Sequence, residues 1–177
     1  MNFSKLDHLI DSLPACGIPS SDLAVTLHGK TVYRRSAGYA DAEKTRPVSP
    51  EDLYYVFSIS KITTCVCGMR LVEEGKIGLD DPVFKYLDSA KPQFGPTRLY
   101  GYSWGLCGRV HVDPVVSHAL SPVGEFGWDG AAGAFALVDP TEQVAIFFGM
   151  HAHGCQYAYH MVHPKIRDLV YEAIREN

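Results

Sequence analysis

Apolar residues recur along the chain with two periods, and the change of period divides it into elements. From Ser4 to Leu13 they fall at Leu6, Leu9, Ile10 and Leu13, three or four apart, which predicts a short amphipathic helix. Ser4 and Asp7 have the spacing of an N-terminal cap. Leu23, Val25 and Leu27 then alternate, His28-Gly29-Lys30 supplies a turn, and Thr31 to Arg34 resumes with β-branched and aromatic residues. This predicts a hairpin within 22–39. Residues 41–52 are polar and contain proline, as a surface loop would. Helical spacing returns from about Ser58 to Glu74, where Ile62, Cys65, Val66, Met69 and Val72 share one side and Gly75 makes a stop. Gly78, Asp80, Asp81 and Pro82 form a turn, and a further helical turn through Val83, Phe84 and Leu87 follows it. The proline-containing stretch 89–97 reads as a connection.

Beyond it the pattern becomes strand-like. Segments 106–112, 132–138 and 144–150 are apolar or alternating, separated by Gly or Asp-Pro turns. A last amphipathic helix begins at Pro164, with Ile166, Leu169, Val170, Ala173 and Ile174 on its apolar stripe. The order of elements predicts an α+β sandwich: a mostly antiparallel sheet, the N- and C-terminal helices on one face and the Ser58 helix on the other.

Composition narrows the function. The 177 residues suit one domain able to bury a core without metal or disulfide. A hydrophobic share of 46% with 20% charged residues argues against disorder. Lys plus Arg is 16 against 20 for Asp plus Glu, a formal charge of −4. That leaves little drive toward phosphate backbones or anionic lipid, so neither nucleic acid nor a membrane is expected as a partner. No stretch approaches the ~20 apolar residues of a membrane helix, and the start lacks the charge and apolar run of a secretory signal. Five irregularly spaced cysteines (Cys16, Cys65, Cys67, Cys107 and Cys155) read as reduced, mostly buried thiols of a cytoplasmic protein. No cofactor is implied.

Chemistry concentrates at Ser58-Ile59-Ser60-Lys61, the head of the long helix. Backbone N–H groups and the macrodipole there favour developing negative charge. A lysine three residues on shares the helical face of Ser58 and can take its hydroxyl proton if burial lowers its own pKa. S-x-x-K recurs by chance; its place after the strand-like 53–57 and before a buried helix gives it weight.

The flanks extend the pattern. Gly29-Lys30-Thr31-Val32-Tyr33, Ala37-Gly38-Tyr39-Ala40-Asp41, Arg46-Pro47-Val48, Phe57 to Lys61, and the run Leu71 to Pro82 together resemble the serine β-lactamase-like family. That family includes class C β-lactamases, D-Ala-D-Ala carboxypeptidases (penicillin-binding proteins) and esterases. The resemblance is dense from Asp22 to about Lys85 and implies Ser58 as the acylated nucleophile with Lys61 as base or proton shuttle. The family's third motif is best matched by Gly127-Trp128-Asp129-Gly130-Ala131-Ala132-Gly133. By that match the N–H groups of Ser58 and Ala131 form the oxyanion hole, and Gly130 admits close backbone approach.

The departures are informative. Asp129 stands where the family has a hydroxyl and Trp128 where it often has a cation, so a carboxylate substrate would meet a carboxylate. A neutral ester or small amide is the expected substrate. The second motif needs an asparagine, and the chain's only two are Asn2 and Asn177. Tyr100 or Tyr102 could stand in as a proton-relaying phenol, although Gly101 to Leu106 looks more like the strand entry that follows the family's helical insert. That helical subdomain, expected between about 88 and 100, is absent. The resemblance therefore implies a single truncated domain, 1–177, with an open cleft and impaired turnover through acyl-Ser58. Apolar surface left uncovered near the sheet implies a homo-oligomer.

Rival readings are a catalytically inactive binding or oligomerising protein with this fold, and a metal-binding protein using His151, His153, Cys155, His160 and His163. Their spacing fits no tetrahedral zinc signature well. Gly101-Tyr102-Ser103-Trp104-Gly105 also matches G-x-S-x-G, but lacks the strand-then-helix setting of a nucleophile elbow.

Overall fold

The structure, a computed structural model, describes residues 1–82, 85–86, 100–106 and 108–176. Helix α1 (Ser4–Ser12) runs into a 3-10 turn (Leu13–Cys16) and then the hairpin of β1 (Ser20–Leu27) and β2 (Lys30–Gly38). His28 and Gly29 at its tip both have positive φ, 49° and 73°, the turn whose twist matches paired strands. A 3-10 turn (Phe57–Ile59) leads into α2 (Ser60–Glu73). There follow β3 (Tyr102–Trp104), β4 (Arg109–His111), the short α3 (Pro114–Ser117), β5 (Phe126–Asp129), β6 (Phe135–Asp139) and β7 (Val144–Met150). A π-helical turn (Ala158–Val162) precedes α4 (His163–Arg175).

The seven strands form one antiparallel sheet in the order β2-β1-β7-β6-β5-β4-β3. Alternation assigns its faces. Leu23 and Val25 of β1, Leu137 of β6, and Ile146 and Phe148 of β7 are fully buried against Leu6 and Ile10 of α1 and Ile166 and Val170 of α4. Truncating one of these large side chains to Ala costs about 2–5 kcal/mol, so this layer carries the fold. The opposite face receives the chain that leads into α2. A Cβ on Gly149 would lie 2.9 Å from the Tyr54 ring, and one on Gly130 would lie 2.3 Å from the Val56 carbonyl oxygen. The α+β sandwich has the expected layers.

Several local expectations need correction. Ser4 does not cap α1: the cap position is Phe3, and the Ser4 N–H donates to Asn2 Oδ1 at 3.0 Å. Asp7 instead accepts from Tyr33 and Arg35 of β2, because the hairpin lies against α1. Residues 58–59 belong to a 3-10 turn, and α2 carries no buried residue among those described, so it is not the buried helix expected. Its end is as expected. Gly75 N–H donates to Val72 C=O and Lys76 N–H to Leu71 C=O, the paired bonds of a glycine-terminated helix. The thiols are less covered than expected: Cys16 and Cys67 are exposed, and Cys65 and Cys155 only half-buried. Cys107 and the helical turn expected through Val83, Phe84 and Leu87 lie outside the described residues, as does the connection 89–97.

Candidate active site

Ser58 sits one residue ahead of a 3-10 to α-helix junction. The Lys61 ammonium nitrogen lies 2.6 Å from the Ser58 hydroxyl oxygen, on the helical spacing of three. The approach is strained. Phe57, a bulky residue immediately before Ser58, has φ of 45°, in the left-handed region that such side chains avoid. Ser60 Oγ donates to the Phe57 carbonyl at 2.6 Å and Ile59 N–H to Val56 C=O at 3.1 Å, which together tighten the turn. Ser58 is half-buried and Lys61 exposed. The lysine thus lacks the burial that the sequence reading required of it.

The segment 127–133 comes to the same place from the sheet. Strand β5 ends at Asp129, and Gly130 lies against Val56 and Phe57 so closely that any side chain there would strike backbone. Gly133, with φ of 89°, turns the chain into β6 against Met150. Gly130 N–H donates to Ala134 C=O at 2.7 Å and Gly133 N–H to Gly130 C=O at 2.9 Å. Among the described residues neither the Ser58 nor the Ala131 N–H has an intramolecular acceptor, and Ala131 is exposed.

Strand parity separates Asp129 from Trp128. Trp128 shares the face of Gly130 and stacks on Trp104 with ring centroids 4.9 Å apart. Asp129 is turned to the α4 face. Its carboxylate accepts from Arg109 Nη1 at 2.6 Å and lies 3.3 Å from His163 Nδ1. Burial works to raise its pKa, but the His163 and Arg109 contacts outweigh burial and hold it below the usual carboxylate range. The expectation that Asp129 faces a substrate beside Ser58 is therefore corrected.

Tyr102 is likewise on the far face. Its hydroxyl donates to Glu125 Oε2 at 3.0 Å and accepts from Arg167 Nη1 at 3.0 Å, while burial pushes its pKa up. It cannot relay a proton at Ser58. Tyr100 is exposed and bonds neither Ser58 nor Lys61 among the described residues. Ser103, the middle of G-x-S-x-G, is in an edge strand followed by another strand.

The histidines near the C-terminus are dispersed. His151 Nε2 accepts the Tyr55 N–H at 2.8 Å, and burial lowers its pKa, which suits an unprotonated acceptor. His153 lies against Phe57, while buried His163 reaches the Gly133 carbonyl at 2.7 Å. No group of three His, Cys, Asp or Glu among the described residues is placed to hold a metal ion. Sequence reasoning missed the buried pairing of Asp129 with Arg109 and His163, and Tyr159, whose hydroxyl donates to Gly130 C=O at 2.9 Å. Arg109 and Asp129, charged residues in strand-like segments, were the signal for the pairing, and Tyr159 carried none.

A family model described as Beta-lactamase matches residues 6–100, more than half of the 177. The chain belongs to the serine β-lactamase-like family. The human serine beta-lactamase-like protein LACTB, mitochondrial, is 41% identical over 102 residues, 58% of this chain and 17% of that protein. Esterase EstB of Burkholderia gladioli is 36% identical over 69 residues, 39% of this chain and 18% of that protein. The matched stretch thus spans under a fifth of the length of these relatives. The solved structure of EstCE1, a hydrolase with promiscuous acyltransferase activity, superposes with a TM-score of 0.79 at 12% identity. It covers 96% of this chain and 98% of that one, a likeness of fold. The family is one of hydrolases, and an esterase is among the proteins similar in sequence to this chain.

Proposed function

We propose that this chain performs esterase-type acyl transfer through an acyl-Ser58 intermediate. The observation that carries the reading is the 2.6 Å contact between Lys61 Nζ and Ser58 Oγ. In its amine form Lys61 takes the hydroxyl proton as Ser58 Oγ attacks the ester carbonyl. The collapsing tetrahedral intermediate expels the alcohol, which leaves with that proton, and water then releases the acid. The Ser58 and Ala131 N–H groups would hold the oxyanion, with Gly130 admitting the acyl group.

An uncharged small ester or amide remains the preferred substrate, now for a different reason. Asp129 is turned away, so its carboxylate does not repel an anionic substrate. What supports the reading instead is the aromatic, non-cationic Trp128 where the family often has a cation. Only about a dozen residues separate Leu87 from Tyr100, which supports a single truncated domain without the helical half. The exposed lysine supports slow turnover. Uncovered apolar residues on α2 support a homo-oligomer, and free thiols support a cytoplasmic setting. No helix among the described residues is long and apolar enough to cross a membrane.

The same exposure of Lys61 favours a second reading, a binding protein of this fold without turnover. Intact mass after incubation with a fluorophosphonate or a short-chain p-nitrophenyl ester separates the two, beside Ser58→Ala. An adduct on the wild type alone supports acyl transfer, and a persistent acyl adduct supports slow deacylation. A folded wild type that never labels removes the enzyme reading.

A further inference from the structure

We propose that Tyr159 is a positioning residue for acyl transfer: from the far face of the sheet, its phenol holds the Gly130–Ala131 peptide so that the Ala131 N–H faces the Ser58 side. This rests on the reading of Ala131 as an oxyanion donor.

The geometry follows from peptide planarity. The Gly130 carbonyl and the Ala131 N–H belong to one trans peptide unit, so they point in opposite directions. The carbonyl accepts from Tyr159 Oη–H at 2.9 Å and from Gly133 N–H at 2.9 Å. Tyr159 approaches from the α4 layer, whereas the Gly130 α-carbon lies against Val56 and Phe57, the residues just before Ser58. Holding the carbonyl toward α4 therefore aims the N–H at the other face. Donation to a carbonyl also polarises its peptide and strengthens the N–H as a donor.

The same helix holds both ends of the loop. Tyr159 lies in the π-helical turn 158–162, and its ring meets His163 edge-on with centroids 5.4 Å apart. His163 Nε2 reaches the Gly133 carbonyl at 2.7 Å. A π-turn inserts a residue relative to an α-helix, which changes the direction of the side chains before it relative to those after. Here Tyr159 and His163 both reach the loop 130–133. Burial and the Asp129 charge push the Tyr159 phenol up, so it remains an O–H donor through the neutral range.

The test is Tyr159→Phe, read in three ways. Acylation by a p-nitrophenyl ester in stopped flow is expected to slow about tenfold with the binding constant unchanged, less than the 10²–10³ lost with a whole oxyanion donor. The acyl-enzyme carbonyl stretch moves to higher wavenumber, and the Ala131 amide proton moves upfield. Tyr171→Phe is the structural control: Tyr171 donates to buried Asp139 at 2.7 Å, away from the loop. That variant is expected to melt earlier and acylate at the wild-type rate. A Y159F protein with the wild-type acylation rate and an unmoved Ala131 amide overturns the proposal. Should the wild type form no adduct, the acyl-transfer reading falls by itself, and the Ala131 amide shift alone decides the positioning. Should Y159F fail to fold, the unsubstituted protein decides: a Gly130 carbonyl-carbon resonance without the downfield shift of a doubly hydrogen-bonded group overturns it.

Discussion

At the scale of single residues, the chemistry turns on how Lys61 is held rather than on its presence. It touches Ser58 at 2.6 Å yet is exposed to solvent. Lys61→Met keeps the aliphatic stem and removes the proton acceptor. Because the side chain is exposed, the melting temperature is expected to change little. The rate of adduct formation with a fluorophosphonate is expected to fall about 10²–10⁴-fold, the range of general-base contributions. An unchanged labelling rate would remove Lys61 from the reaction. The pair itself was legible in the sequence, because a spacing of three is resolved within one helical turn. The state of the lysine was not, because burial depends on what the rest of the chain lays over it.

At the scale of elements, α2 is the anomaly. Its predicted extent was close to what forms, and its glycine stop is as the sequence implied, since both depend on neighbours within a few residues. Its environment differs. Val66 is 59% exposed, and Leu79 and Leu106 are 59% and 67% exposed nearby. Leu79 and Leu106, with Met69, Leu71 and Val72, border an apolar groove. Burying each such side chain stabilises by about 1.5–3 kcal/mol, so several together favour association. In light scattering the wild type is expected to be larger than a monomer, and Val66→Lys with Leu71→Lys smaller, without loss of helical signal. A monomeric wild type at high concentration would count against the oligomer. The π-turn before α4 went unread, since its single inserted residue breaks no hydrophobic period that a short window can register.

At the scale of the whole molecule, β1 lies beside β7 and α1 beside α4, so early and late segments are tied together. The Arg109–Asp129 ion pair ties β4 to β5, and His163 of α4 lies 3.3 Å from the same carboxylate. The Asp129 pKa is lowered in the folded state despite burial. Its stabilisation is therefore complete above the unfolded value of about 3.9 and is lost as pH falls through the lower folded value. Asp129→Asn is expected to melt earlier at neutral pH and to show a shallower acid loss than the wild type. Parallel melting curves against pH for both proteins would show that the carboxylate contributes nothing.

What the sequence by itself determined is local or patterned: the strand and helix periods, the Ser58–Lys61 spacing, the glycine stop of α2, and the ordered motifs that mark the family. The tertiary structure decided which face each side chain meets. Asp129 and Trp128 are neighbours in sequence, and one residue of strand parity sends them to opposite faces. Parity is visible in a sequence, but the face that carries the helices is set by strands and helices far away along the chain. Asp129 was thereby turned toward α4 and Trp128 to the opposite face, while Tyr159, thirty residues downstream, was brought behind the loop it holds.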